Sequence, residues 1–305
     1  MLSDSPQIQF RYQLQLSSEV QWLIGNTQGC AEWTNEFCKV LELSQSVNSA
    51  SIPKLIFTTD SEQITEHPIF QRSGFPKLTW TNYKYFGSRI WYNNHTFDLF
   101  CQITEPETFD DKIYSMWAVV HAVYRRAVQI GGTPLHAAIS EQDGKGIVFA
   151  APGGGGKSTT SKRLSENFQL HGDDEVLVLP DDSESFIAHP FPTWSNFLYK
   201  RPKVSWKVEK KIPLKAAFFI EKADKEEIIP LKSHEASALF NQSIRQIMMR
   251  GWHLSGPDTK SRLIKECFGI AVDLAKSIPA FKIRLTLEGS FEDTLEKVLK
   301  EKGIF

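Results

Sequence analysis

The chain has 305 residues, 35 Lys and Arg against 36 Asp and Glu, and 41% apolar, 23% charged and 12% aromatic residues. That length supports one large or two ordinary domains with real cores, and the globular composition excludes disordered, collagenous and low-complexity classes. The near-neutral charge gives no reason to expect nucleic acid or an anionic membrane as partner, and no apolar run approaches the roughly 20 residues that span a bilayer.

The start, Met1-Leu2-Ser3-Asp4-Ser5-Pro6, has neither the basic nor the apolar region of a secretory signal. Cys30, Cys38, Cys101 and Cys267 are too scattered for a disulfide framework or a zinc site. A soluble cytoplasmic protein with reduced thiols is expected.

In chain order, residues 1–105 read as a separate α/β domain, a scaffold or recognition module. Ile8–Leu16 alternates apolar and polar residues as a strand does, and Cys30–Leu43 reads as a helix. Arg89–Ile103 reads as a hairpin turning at Asn93-Asn94. The spacing of Ile113, Met116, Trp117, Val120, Val123, Tyr124 and Ala127 predicts a long helix over Asp111–Ile130, closed by Gly131-Gly132, with His121 packed beside its apolar stripe.

Residues 106–305 form the second expected domain, and the informative stretch lies early in it. Pro134–Glu141 and Gly146–Ala151 read as a hairpin about the Asp143-Gly144 turn. That register faces Gln142 with Lys145 and sets His136 opposite Ala151. Pro152-Gly153-Gly154-Gly155-Gly156-Lys157-Ser158-Thr159 follows, then a helix continuing over Thr160–Asn167. A second hairpin is expected from Glu175 to His189. Strands at Ala216–Glu221, Glu227–Leu231 and Phe281–Leu287 alternate with helices at Ser233–Arg250, Lys260–Lys276 and Phe291–Glu301.

A strand, a glycine-rich loop and Gly-Lys-Ser opening a helix suit a phosphate. Backbone N–H groups of Gly153, Gly154, Gly155 and Gly156 turn inward only where no Cβ obstructs, and the helix start adds unpaired N–H groups. Lys157 reaches β- and γ-phosphates, and the Ser158 hydroxyl suits Mg²⁺. Ala151 stands where the phosphate-loop motif has its first glycine. No Asn-Lys-x-Asp guanine signature is present, and Leu254-Ser255-Gly256-Pro257 is a poor echo of an ABC signature. Beyond the loop, Leu170-His171-Gly172-Asp173-Asp174 runs straight into a hairpin, which predicts a mixed sheet rather than helical crossovers.

Asp173 and Asp174 lie sixteen and seventeen residues past Lys157, so one helix and a short return would bring them back beside the phosphates. Adjacent carboxylates divide phosphoryl-transfer work: one holds Mg²⁺ and the other accepts the proton of the attacking hydroxyl. The alternative is a solvated turn, as expected for Asp181-Asp182. His136, placed by the hairpin at the mouth of the loop, would tune the base.

These residues, LHAAISEQDGKGIVFAAPGGGGKSTTSKRL followed by HGDDEVLVL, resemble the HPr kinase/phosphorylase-like P-loop kinases with a phosphoenolpyruvate-carboxykinase-like core. Within that group the chain is most similar to the ScmC-type HPr-kinase-related proteins of peptide-modification cassettes, a likeness that includes HPFPTWSNF at His189–Phe197 and IPAFKIRL at Ile278–Leu285. The resemblance implies an α/β P-loop kinase core with a mixed β-sheet, preceded by a smaller α/β domain. It implies ATP and Mg²⁺ as cofactors. Gly153–Gly156, Lys157, Ser158 and Thr159 would bind nucleotide, with Lys157 also catalytic. Asp173 would be the base, His136 would assist it, and Ser158 and Asp174 would hold the metal. Thr159 stands where the family has an acidic residue.

Asp173–Glu184 holds six acidic residues and Lys200–Lys215 seven basic ones against Glu209 alone. These runs are either solvated faces or a region that meets nucleotide phosphates or an acidic peptide. Trp194 and Trp206 offer either core packing or a stacking surface. The expected activity is γ-phosphoryl transfer to a Ser or Thr of a peptide or small protein, a ribosomally made precursor peptide among them. Partner enzymes of a peptide-modification cassette and self-assembly into a homo-oligomer belong to the same expectation. A degenerate peptide-binding module and a kinase for small-molecule hydroxyls are the alternatives.

Overall fold

The computed structural model describes residues 8–45, 52–59, 80–85, 88–104, 106–164, 166–183, 185–198, 205–252 and 257–305. In chain order, the first elements are β1 (Gln9–Gln15), β2 (Gln21–Asn26), α1 (Ala31–Val40), β3 (Lys54–Thr58), β4 (Trp80–Tyr85), β5 (Ser88–Asn93), β6 (Leu99–Ile103) and α2 (Phe109–Gln129). Next come β7 (Thr133–Gln142), β8 (Lys145–Ala150), α3 (Lys157–Lys162), β9 (Gln169–Gly172), β10 (Glu175–Pro180), β11 (Phe186–Phe191) and α4 (Trp194–Leu198). The chain closes with β12 (Ile212–Lys222), β13 (Glu227–Pro230), α5 (Ser233–Trp252), α6 (Pro257–Ser277), β14 (Ala280–Leu285) and α7 (Glu292–Glu301).

By their contacts the residues form two units, Met1–Arg126 with Trp194–Glu209, and Ala127–Thr193 with Lys210–Phe305. This division differs from the one expected between residues 105 and 106. Most of α2 packs with the first unit: Trp33 Nε1 donates to Ser115 Oγ at 2.9 Å, Lys112 pairs with Glu36, and the Arg126 guanidinium lies 3.6 Å over the Phe97 ring. The chain then re-enters that unit, where the Trp206 N–H bonds the Val40 carbonyl at 3.0 Å and Glu209 accepts the Gln15 N–H at 2.7 Å.

The first unit is built on a six-stranded sheet of order β1-β2-β3-β6-β5-β4. β2, β3 and β6 run parallel to one another and the outer pairings are antiparallel. Its core packs Trp33, Phe37 and Phe57 together, with ring centroids 4.8–5.6 Å apart. Trp194 and Trp206 are buried against Phe197 and offer no exposed stacking surface.

The second unit carries the mixed sheet that the sequence predicts, of order β11-β10-β7-β8-β12-β14-β13. β12 runs parallel to β8 and β14, while β7 runs antiparallel to β8, β9 and β10. β11 also pairs with the start of β12, closing β11, β10, β7, β8 and β12 into a ring. The β7–β8 register runs from Gln142↔Lys145 to Ala137↔Ala150, one pair short of His136 and Ala151. Asp143 and Gly144 turn the hairpin with φ of +51° and +74°, the primed geometry that matches strand twist. Phe149, Phe218 and Phe281 stack through the sheet, with centroids 5.6 and 5.1 Å apart, beneath Phe291 and Leu295 of the closing helix region.

One helix is shorter than expected. α3 ends at Lys162, not Asn167, because the next residue is held by distant ones. Arg163 donates to the Thr286 carbonyl at 2.9 Å and pairs with Glu226 at 3.0 Å. Leu164 and Phe168 turn into the apolar core. All four cysteines are buried, and none is in a disulfide. Burial pushes the Cys267 thiol up to about 12 and raises Cys38 and Cys101 further, so they stay protonated. Among the described residues, no helix is long and apolar enough to cross a membrane.

Candidate phosphate-loop site

β8 is buried along nearly its whole length and delivers Ala151 to the edge of the sheet, where the glycine loop begins. Ala151 is not in the left-handed region, so its Cβ is tolerated where the motif has glycine. A Cβ on Gly155 would lie 2.6 Å from that of Ala151 and 2.8 Å from the Pro152 carbonyl oxygen. Alanine at the first position therefore requires glycine at the fifth.

Gly154 and Gly156 adopt φ of +73° and +99°, and nothing lies within 4 Å of a Cβ added at Gly153, Gly154 or Gly156. The loop is thus open around these three positions, and such a glycine backbone suits an anion held by N–H groups. Lys157 is buried and its Nζ donates to the Ala151 carbonyl at 3.1 Å, folding back over the loop. Ser158 is half-buried at the start of α3 and Thr159 is exposed.

β7 brings the remaining residues to this end of the sheet. One of its edges pairs with β8. The other pairs with β10 through His136↔Glu175 and with β9 through Ile139↔Gly172. Asp173 and Asp174 occupy the gap between β9 and β10, and the Ala137 N–H bonds the Asp174 carbonyl at 3.1 Å. Two inter-strand spacings, roughly 10 Å, separate their backbone from the end of β8.

The pair is held from two sides. Thr193, buried just beyond β11, donates its hydroxyl to Asp173 Oδ1 at 2.7 Å. His136 Nε2 lies 3.0 Å from Asp174 Oδ1, and its Nδ1 meets the Gln246 side-chain oxygen of α5. Ser243, one turn earlier on α5, donates to the His136 carbonyl at 3.2 Å. The histidine therefore contacts Asp174, where the sequence reading joins it to Asp173. A continued pleat would turn Asp173 rather than Asp174 toward His136, but both aspartates lie in the bend between β9 and β10, outside the pleat, next to Glu175, the residue registered opposite His136. Thr193, Ser243 and Gln246 escape a sequence reading. Only Thr193 lies in a stretch that carries the family resemblance, HPFPTWSNF.

A second cluster sits farther along β7. Glu141 meets His171 Nε2 at 2.7 Å and Lys210 Nζ at 2.5 Å. Burial, then the Lys210 ammonium, holds His171 below the ordinary histidine value of 6.5 against the pull of Glu141. Burial raises the Glu141 carboxyl, but Lys210 and His171 outweigh it and hold it below the usual range. Lys210 is thus engaged by Glu141, Lys207 and Lys211 are exposed, and Lys200, Arg201, Lys203 and Glu184 lie outside the described residues.

Among the described residues, no group of three or more His, Cys, Asp and Glu gathers as a metal cage. Ser158 and Asp174 are two oxygen donors, a set that suits Mg²⁺, which takes one or two protein ligands and completes its shell with water and phosphate.

Fold and site together define an α/β protein whose mixed sheet presents a glycine loop, a buried lysine and a histidine-linked Asp-Asp pair at one end. The chain belongs to the ScmC family of SynChlorMet cassette proteins, whose family model matches residues 99–300. Among solved structures, it is similar to the HPr(Ser) kinase/phosphatase from Coxiella burnetii, at 11% identity and a TM-score of 0.29, covering 56% of this chain and 96% of that one. No curated protein matches the chain.

Proposed function

We propose that the protein is an ATP- and Mg²⁺-dependent P-loop kinase that transfers the γ-phosphoryl group to a Ser or Thr hydroxyl of a peptide or small protein. A ribosomally made precursor peptide is the leading acceptor, in keeping with membership of a cassette family. The observation that carries this reading is the two-sided use of β7, with the open glycine loop after β8 on one edge and Asp173-Asp174 on the other.

The loop from Gly153 to Gly156, with Lys157 and Thr159, would hold the donor phosphates through backbone N–H groups and one buried ammonium. Ser158 and Asp174 would hold Mg²⁺, which supplies charge neutralisation to those phosphates when bound. His136, 3.0 Å from Asp174 Oδ1, would orient that carboxylate, as partners of metal-binding carboxylates commonly do. Thr193 occupies one oxygen of Asp173 and leaves the other for the acceptor. Asp173 takes the hydroxyl proton as the new oxygen–phosphorus bond forms and the bond to the β-phosphate oxygen breaks, releasing ADP.

Incubation with ATP and candidate peptides, followed by mass spectrometry, tests this. Phosphopeptides should appear with the wild type and be absent with Asp173→Asn. A well-folded preparation that binds no nucleotide sinks the reading.

A further inference from the structure

The helix that holds His136 also has an outward face. Ala238, Asn241, Gln242, Arg245, Gln246 and Met249 of α5 follow the 3–4 spacing of one helix side and line a cavity of about 370 Å³. Gln242 and Gln246 also line a smaller pocket, about 40 Å³, walled by Ala150, Ala151 and Pro152 where the glycine loop begins. The same Gln246 touches His136. This face therefore passes both the start of the loop and the histidine that contacts Asp174.

Its chemistry is selective. The six residues include one cation, no anion, three amides and an exposed methionine. Arg245 is exposed and makes no ion pair among the described residues. Asn241 and Gln242 offer donors and acceptors to a peptide backbone, while Gln246 is engaged by His136 and the Gln242 carbonyl, and Met249 gives an adaptable apolar contact. From Ala238 to Met249 the helix rises roughly 16 Å, the length of about five extended residues. That is longer than a small metabolite.

We infer that this face of α5 docks the acceptor, and that it takes an acidic peptide segment with Asp or Glu a few residues from the target hydroxyl. The inference rests on the kinase reading for the word acceptor. The surface itself is separable from it.

The test uses the full chain and fluorescence anisotropy with labelled nine-residue peptides, one rich in Asp and Glu and one in Lys, each with Ala in place of the hydroxyl residue. The wild type should bind the acidic peptide about 5- to 10-fold more tightly, the scale of a few exposed charge contacts. Arg245→Glu should reverse that preference, Arg245→Lys should keep it, and Mg-ATP binding should stay unchanged in both. An unchanged preference in Arg245→Glu, or wild-type preference for the Lys peptide, overturns the inference. Wild type that binds no Mg-ATP yet keeps the acidic preference overturns the kinase reading alone.

Discussion

Both units bury ionisable side chains, but what those side chains touch differs. In the first, Lys54 lies 5.7 Å from the Phe10 ring centroid, and Arg126 covers the Phe97 ring while donating to the Glu19 carbonyl at 3.0 Å. His121 is wedged between Trp117 and Tyr124. For Lys54 and Arg126 an aromatic face replaces water around the cation, and the exposed Glu19 carboxylate also pairs with Arg126 at 3.3 Å. In the second, Lys157 bends over an open loop, His136 meets a carboxylate, and Asp173 accepts a hydrogen bond on one oxygen from a buried threonine. Burial alone does not mark a site. The partners and the open space beside them do.

The sharpest way to break this contrast is to remove the second unit's charges. Asp173→Asn should lower phosphoryl transfer about 10³-fold, and Lys157→Ala about 10²- to 10³-fold, with circular dichroism unchanged. Activity near wild type in either would make these residues as structural as Lys54. Thr193→Val removes one hydrogen bond to a carboxylate and should lower kcat about 10-fold with KM nearly unchanged. Equal loss in KM would point to an altered pocket instead.

Arg126→Met supplies the reverse control. It should lower unfolding free energy by about 1–3 kcal/mol through the lost ring and carbonyl contacts, and leave transfer per folded molecule unchanged. A selective loss of transfer would show that the first unit's buried charge also serves the reaction.

The smallest expected effect is on pH. His171 and Glu141 both have lowered folded values, so at each the unfolded chain binds more protons and stability rises with pH. The His171 contribution is lost as pH falls below 6.5, and the Glu141 contribution as pH falls further through its folded value. The thermal midpoint should drop by about 2–4 °C from pH 7 to pH 5, and His171→Gln should flatten the upper part of that slope. An unchanged slope would remove the cluster from the account.

What was legible in the sequence was local. Asp143-Gly144 marked a two-residue turn, and the turn set the register that brings His136 to the start of the loop. The alternation of Ile8–Leu16, the apolar stripe of α2 and the hairpin after Asp174 were readable for the same reason. The end of α3 was not, because Arg163 is claimed by Thr286 and Glu226, more than sixty residues away. Neither was the return of residues 194–209 to the first unit, which interrupts the second in sequence. Within the site, the loop and the carboxylates announce themselves by composition. Thr193 and Gln246 do not, since a threonine after a strand and a glutamine on a helix mean nothing until the fold brings them to Asp173 and His136.

The central claim is that the loop and the Asp-Asp pair form one phosphoryl-transfer site. Transfer of label from γ-labelled ATP to a Ser peptide, compared between wild type and Lys157→Ala at matched folded concentration, tests it most directly. Label on the peptide with wild type and at least about 10²-fold less with the variant is the predicted result. Equal labelling by both proteins would contradict it.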